Sequence, residues 1–321
     1  MEVSVIIPVY NAAPYLRQSV ESAIAQPETA EVIIVEDGST DNSFVVCQQL
    51  AGEFPTIQLF QHPDRANHGL PLSRNLAIEK ASTPYIAFLD ADDYFLPNRF
   101  GTARQLLEAD PTLDGVYEAI GTHFQNDAAR HRWKITRGSR PLTTMTRRIP
   151  PERLFEALTL QRKGIGKFSM IGMVVKRKLF KRTGYFDPHL LLAQDTAMTI
   201  KMAAVGRLAA GQLDVPVAMR RVHDTNRSSQ VRHPHEIYQL RMLVANTLLT
   251  WGQEHATIQQ RRLLHAYRLR IQKERPLWGK PPTRTTRLVN MLLLALHRPS
   301  LLLNHYYWWE FIPKSTQVKQ V

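Results

Sequence analysis

A single cysteine, Cys47, stands in 321 residues. One thiol can form neither an internal disulfide nor a cysteine-rich zinc site, and it suits a reducing cytosol, packed as a small apolar side chain. No unbroken apolar stretch reaches the ~20 residues a membrane-spanning helix needs. The chain runs into a strand-like segment at its start, with no basic-then-apolar secretory leader. These absences give the expectation of a cytoplasmic protein. Neither a G-x-G-x-x-G after the first apolar segment nor a G-x-x-x-x-G-K-[ST] loop occurs, which disfavours both common nucleotide-binding folds. Acidic residues are also scarce, with 41 Lys and Arg against 28 Asp and Glu, a formal charge of +13. Such an excess favours anionic partners, whether a nucleotide-linked ligand, an acidic membrane surface or nucleic acid.

The most informative stretch is Pro84 to Pro97. Tyr85 to Leu89 is a short apolar run, read as a strand buried on both faces, and three carboxylates follow it closely: Asp90, Asp92 and Asp93. Open α/β sheets place their ligands at the C-terminal ends of such strands. Crowded carboxylates repel and call for a counter-charge, most simply Mg²⁺ or Mn²⁺, which bind through one or two carboxylates plus substrate phosphates. The plainer reading is an acidic turn in which Asp93 caps what comes next.

Around this stretch, strands alternate with helices. Val3–Val9, Glu31–Val35 and Thr56–Gln61 read as strands; Pro14–Ile24, with Leu16, Val20 and Ile24 four apart, and Pro71–Lys80 read as helices. The pattern is an α/β domain with a largely parallel sheet flanked by helices. Further on, Tyr94–Asp110 reads as a helix, Asp114–Phe124 as a strand, and the basic segment Asn126–Arg148 as a solvated loop. Glu152–Leu160 reads as a helix, Ser169–Lys176 as a strand, Lys178–Thr183 as a short helix and Thr196–Gly206 as another. After Arg232 the composition shifts. Glu236–Trp251 and Thr257–Lys273 are amphipathic helical patterns, Pro276, Pro281 and Pro282 form a linker, and Leu288–Leu296 and Leu301–Leu303 precede the aromatic run His305–Ile312. Basic helices with a Tyr/Trp cluster fit an anionic membrane surface, and fit equally well helices packed on the rest of the protein.

Four motifs come in order: Val3-Ser-Val-Ile-Ile-Pro-Val-Tyr-Asn11, Val35-Glu-Asp-Gly-Ser-Thr-Asp41, Asn67-His-Gly-Leu70 with Arg74-Asn75, and Phe88-Leu-Asp-Ala-Asp-Asp93. Together they resemble the family 2 glycosyltransferases of the GT-A (Rossmann-like) fold, which move a sugar from a nucleotide donor with inversion. The resemblance implies roles. Asp37 would contact the donor base, with Pro8, Tyr10 and Asn11 lining the same pocket; Glu36 stands where the family often has Asp. Arg74 would approach the donor phosphates, unless it only pairs with a nearby acid. Asp92 would hold Mn²⁺ or Mg²⁺ bridging the diphosphate, and Asp90 would orient the ribose or sugar.

A second signature, Gly184-Tyr-Phe-Asp-Pro-His-Leu190, precedes Gln194-Asp195, where the family usually has two acids. The retained Asp195 would be the general base, beside the acceptor hydroxyl and opposite the leaving diphosphate; the bland reading is a helix N-cap. In Arg220–Ser228, His223 would join the metal or diphosphate, or be structural, while Arg220 and Arg227 would neutralise the leaving group. The segment 126–148 becomes a candidate flap over the acceptor.

The resulting division is a nucleotide-sugar-binding half at 1–112, an acceptor-binding half at 113–232 and a C-terminal helical extension at 233–321. The expected activity is metal-dependent transfer from a nucleoside-diphosphate donor, a UDP-sugar, to a hydroxyl of a glycan or lipid-linked acceptor, as in cell-surface polysaccharide synthesis. Such an enzyme would lie in the cytoplasm or peripherally on the inner face of the membrane, and would bind no nucleic acid. The competing functions are a sugar nucleotidyltransferase, which lacks the expected Gly-rich, Lys-bearing loop, a basic nucleic-acid-binding protein, which lacks a binding motif, and a transferase that binds donor without turnover.

Overall fold

The computed structural model describes residues 1–137, 142–160, 165–223, 226, 232–276, 280–297, 299–303 and 305–308. The chain divides into two compact units, Met1–Val231 and Arg232–Val321.

The first unit opens with β1 (Val3–Val9), every residue of which is buried, as its β-branched composition suits. Helix α1 (Ala13–Ile24) follows and turns Leu16, Val20 and Ala23 inward. Then come β2 (Thr29–Glu36), α2 (Ser43–Glu53), β3 (Ile57–Gln61), α3 (Leu70–Lys80) and β4 (Tyr85–Phe88). After the acidic turn the chain forms β5 (Tyr94–Phe95), α4 (Gly101–Ala109), β6 (Gly115–Tyr117), β7 (Ile120–Phe124), α5 (Asp127–Arg137) and α6 (Pro151–Leu160). It finishes with β8 (Met173–Lys176), α7 (Phe180–Thr183), α8 (Gln194–Val205), β9 (Leu208–Ala210) and β10 (Ala218–Val222).

Seven strands form the central sheet in the order β3-β2-β1-β4-β8-β6-β9. It is largely parallel, with β8 antiparallel to both its neighbours. A second sheet, β5-β10-β7, takes the chain directly from the acidic turn. Asp90 to Asp93 therefore bridge two sheets.

Three segments depart from the sequence reading. Tyr94–Asp110 is not one helix: Tyr94 and Phe95 pair with Met219 and Ala218, and Asn98 takes a left-handed conformation (φ 60°) before α4 begins. Asp114–Phe124 is two strands in two different sheets, broken at Glu118, whose buried carboxylate accepts from Arg99 at 3.0 Å and from the Gln212 N–H at 3.1 Å. The basic segment contains a helix, α5. Asn126 accepts from the Ala129 N–H at 2.7 Å at its start, and Ala129 and Trp133, four apart, bury against Val222. That one apolar pair among many cations was its only sequence signal.

In the second unit, α9 (Pro234–His255) and α10 (Ile258–Lys273) both begin with capping boxes, His233 with Glu236 and Thr257 with Gln260. Helix α11 (Arg284–His297) is fixed to α10 by a cluster of Leu269, Met291 and Tyr307. Asn290 donates to the carbonyls of Lys273 and Arg275 at 3.0 and 2.8 Å. No helix among the described residues is long and apolar enough to cross a membrane. Arg227, Trp309 and the remainder of the aromatic run to Ile312 lie outside the described residues.

Candidate active site

Because β1, β2 and β4 run parallel, their C-terminal ends meet at one edge of the sheet. Pro8 is buried opposite Val35, whereas Tyr10 and Asn11 emerge at the surface. Asn11 sits in the left-handed region (φ 51°), which Asn tolerates, and from there its Oδ1 accepts from the Thr40 N–H at 2.8 Å. Asp41 accepts from the Ala13 and Ser43 N–H groups, so the ends of β1 and β2 are stitched together.

Asp37 is buried at the end of β2. Its Oδ1 accepts from the His68 N–H at 2.8 Å, and its Oδ2 from the Gly69 N–H at 2.9 Å and Asn67 Nδ2 at 3.1 Å. The carboxylate thus ties the 67–69 segment to the strand end. Close approach there requires Gly38, where a Cβ would come within 2.7 Å of the Ala66 and Asn67 backbone. Glu36 is used similarly, accepting from the Ser39 N–H and from Gln61 Nε2. His62, a residue the sequence did not single out, faces Asp37 at 3.4 Å and Ser73 at 3.1 Å. Its burial lowers the imidazole pKa despite the pull of Asp37.

Arg74, on α3, is the centre of the site. It is wholly buried, its guanidinium 5.5 Å from the Phe88 ring and 5.4 Å from Phe186. Nη2 donates to Asp90 at 2.8 Å and Nη1 donates to Asp195. The sequence offered phosphates or a nearby acid as its partner; the structure gives it two acids. Burial acts to lower the Arg74 pKa, but Asp195 and Asp90 together carry it above the ordinary value. For Asp90, burial raises the pKa, Arg74 offsets that in part, and Asp195 and Asp92 add to the rise.

Asp195 arrives at the first turn of α8, after Ala193 in a left-handed conformation (φ 59°). Its side chain is 42% exposed. Asp92 points the other way. Its Oδ2 lies 3.0 Å from His223 Nε2 and accepts from Asn226 Nδ2 at 2.9 Å. The His223 ring stacks on Tyr15 at 4.7 Å, and the Asn226 side-chain oxygen accepts from the His223 N–H. Asn226 belongs to the Arg220–Ser228 segment, and spacing alone does not reveal that its amide turns back onto Asp92.

Asp93 is buried and accepts from the Arg221 N–H at 2.8 Å, while Arg221 Nε donates to the Asp92 carbonyl at 3.0 Å. Burial, reinforced by Asp92 and Asp90, holds the Asp93 pKa well above its usual range. Arg220 turns elsewhere, donating to Ser169 at 2.8 Å beside the Trp133 ring.

Among the described residues no three His, Cys, Asp or Glu side chains form a ready metal cage. Asp92 and His223 nevertheless bring one hard oxygen and one imidazole nitrogen together. That donor pair fits an ion which completes its shell with water and substrate phosphates.

A largely parallel sheet whose strand-end acids meet a carboxylate at a helix start is the arrangement of the GT-A fold. The model of glycosyl transferase family 2 matches residues 4–180, more than half of the chain, and the chain belongs to that family. It is similar to the uncharacterized glycosyltransferase YibD of Escherichia coli K12, 44% identical over 102 residues, 32% of this chain and 29% of that protein. The succinoglycan biosynthesis protein ExoU of Rhizobium meliloti is 42% identical over 109 residues, 34% of this chain and 30% of that protein. The chain thus matches less than a third of the length of these two relatives. Among solved structures, Staphylococcus aureus TarS 1-349 in complex with UDP-GlcNAc superposes with a TM-score of 0.59 at 17% identity, over 93% of this chain and 92% of that one. The mannosyltransferase PcManGT of Pyrobaculum calidifontis, in complex with GDP-Man and Mn²⁺, gives 0.52 at 19% identity, over 96% and 82%. These likenesses show the fold. Family membership replaces the nucleotidyltransferase and nucleic-acid-binding alternatives.

Proposed function

We propose that the first unit transfers a sugar, with inversion, from a nucleoside-diphosphate donor (a UDP-sugar) to a hydroxyl of a glycan or lipid-linked acceptor, as in cell-surface polysaccharide synthesis. The observation that carries this reading is Arg74 holding Asp90 and Asp195 at once, two carboxylates far apart in sequence. One comes from the acidic strand end and the other from the expected base position. Solved relatives that hold UDP-GlcNAc or GDP-Man with Mn²⁺, and a relative named for succinoglycan biosynthesis, support the donor and product classes.

In this mechanism Asp195 accepts the proton of the acceptor hydroxyl as its oxygen bonds to the anomeric carbon. The bond from that carbon to the diphosphate breaks on the opposite face, so one displacement inverts the centre. Arg74 keeps the base in place, and Asp90, on the same guanidinium, faces the donor sugar. Asp92 and His223 would hold Mn²⁺ or Mg²⁺, which when bound would offset charge on the leaving diphosphate. Asp37, Pro8, Tyr10 and Asn11 form the nucleotide side. A lipid-linked acceptor would be met by a protein lying peripherally on the inner face of the membrane.

The test is turnover across a panel of nucleotide sugars with Mn²⁺, using the intact chain and Asp195→Asn. Release of nucleoside diphosphate by the intact chain with at least one donor, lost in the variant, is expected. No turnover with any donor, or an unimpaired variant, would overturn the reading.

A further inference from the structure

Helix α11 carries two apolar faces, and only one is covered by the described residues. Met291 is buried with Leu269 and Tyr307, and Leu294 and Ala295 pack against the same cluster. On the other side Leu288, Leu292 and Leu296 stand one turn apart, with Val289 and Leu293 beside them, all exposed. Leu292 is 65% and Leu296 77% exposed, values no ordinary core-facing leucine shows. Further along the chain Leu302, Leu303 and Trp308 are exposed as well. A contiguous patch of this kind marks an interaction site.

The charges around it identify the partner. From Arg275 to Trp309 the sequence has Arg275, Lys280, Arg284, Arg287 and Arg298 and not one Asp or Glu. Arg284 continues the Leu288–Leu292–Leu296 row by one turn, so a cation stands at the end of the apolar stripe. A second copy of the chain would bring no acid from this stretch to meet that cation, whereas a surface of lipid phosphates would complement it. The helix has 14 residues, about 21 Å, too short to cross a bilayer but suited to lying in its interface. Trp308, with an apolar ring and a polar edge, suits the same depth.

We propose that α11 is an in-plane anchor for an anionic lipid bilayer. Leu288, Leu292 and Leu296 enter the acyl boundary, and Arg284 meets lipid phosphates. The inference rests on the peripheral-membrane reading above and specifies the face that performs it.

The test is flotation of the full chain with phosphatidylglycerol-containing vesicles and with phosphatidylcholine vesicles, beside the double variant Leu292→Glu/Leu296→Glu. Both substituted side chains are exposed, so the circular dichroism spectrum and melting temperature should stay unchanged. The intact chain should bind the anionic vesicles, with binding reduced but not abolished by high salt, and the variant should bind about tenfold or more weakly. Leu296→Cys allows a second reading. Cys47 is buried and its thiol pushed up to about 12, so an environment-sensitive dye would label only position 296, and brominated lipids should quench it. Binding that survives the double substitution would overturn the α11 face while leaving the peripheral reading standing. An intact chain that ignores both vesicles would overturn both, and a dimer dispersed by the variant would then assign the face to self-association.

Discussion

Replacing Arg74 with methionine separates the two roles open to that residue. The side chain is wholly buried and the slot between Phe88 and Phe186 is apolar, so Met fills most of the volume and leaves little cavity. What remains is electrostatic: Asp90 and Asp195 lose their shared cation, and Asp92 stands nearby. Removing one partner of a buried ion pair costs about 3–5 kcal/mol. Asp195 and Asp90 keep 42% and 33% of their side-chain surface exposed, so water screens both and the penalty falls below that range. For a unit of this size the loss lowers Tm by on the order of 5 °C. The penalty should depend on pH in a defined sense. The folded-state pKa of Asp90 already lies above its ordinary 3.8 and would rise further without Arg74. A raised carboxylate pKa means the folded state binds more protons than the unfolded state, so stability falls as pH rises through that window. The destabilisation by Arg74→Met should therefore be largest at neutral and alkaline pH and shrink on acidification. In steady-state assays kcat should fall about 10²-fold or more, since the base is no longer held in position, with donor KM little changed. A variant as stable as the parent at neutral pH, with only donor KM raised, would refute the clamp and return Arg74 to the phosphates.

Three further outcomes follow from the site. Asp92→Ala should abolish transfer and Mn²⁺-dependent nucleotide binding by calorimetry while preserving the melting temperature; full activity of this variant in EDTA would remove the metal from the mechanism. Asp195→Asn is isosteric but cannot take a proton, so donor affinity should persist while turnover drops about 10²–10⁴-fold, and a near-normal rate at saturating acceptor would move the base elsewhere. Asn226→Ala removes the amide shared by Asp92 and His223, and supporting contacts of that kind change metal affinity about 10–100-fold. Titration of Mn²⁺ by electron paramagnetic resonance, with UDP present, should show weaker binding, and an unchanged affinity would make Asn226 a loop-closing residue only.

The parallel half of the sheet was legible because Val3–Val9 and Glu31–Val35 are fully buried strands, and full burial shows as a run dominated by β-branched residues. The acidic strand end was legible for the same reason. Elements whose identity depends on distant partners were not. Tyr94 and Phe95 are strand only because β10 returns to pair with them, and nothing local opposes a helix there until Pro97. Glu118 breaks a strand because Arg99 waits for it in the core, a pairing no window of sequence contains. Asn226 escaped notice for a related reason. Its amide turns back onto a carboxylate far along the chain, and hydrogen-bond direction has no periodicity to read.

Crowding of Asp90, Asp92 and Asp93 suggested one counter-charge, a metal, for all three. The fold instead separates them. Asp90 is given to the buried Arg74, and Asp93 to the backbone of Arg221, whose guanidinium lies over Tyr15 and Tyr94. Asp92 faces an imidazole and an amide, so of the three only Asp90 has a cation for a partner among the described residues. The repulsion that the sequence makes obvious is offset only in part by Arg74 and persists in the raised pKa values of Asp90 and Asp93. Two of the three acids are thus committed within the protein, Asp90 to the guanidinium it shares with Asp195 and Asp93 to the closing strand, so the proposed cation site draws on Asp92 alone among them.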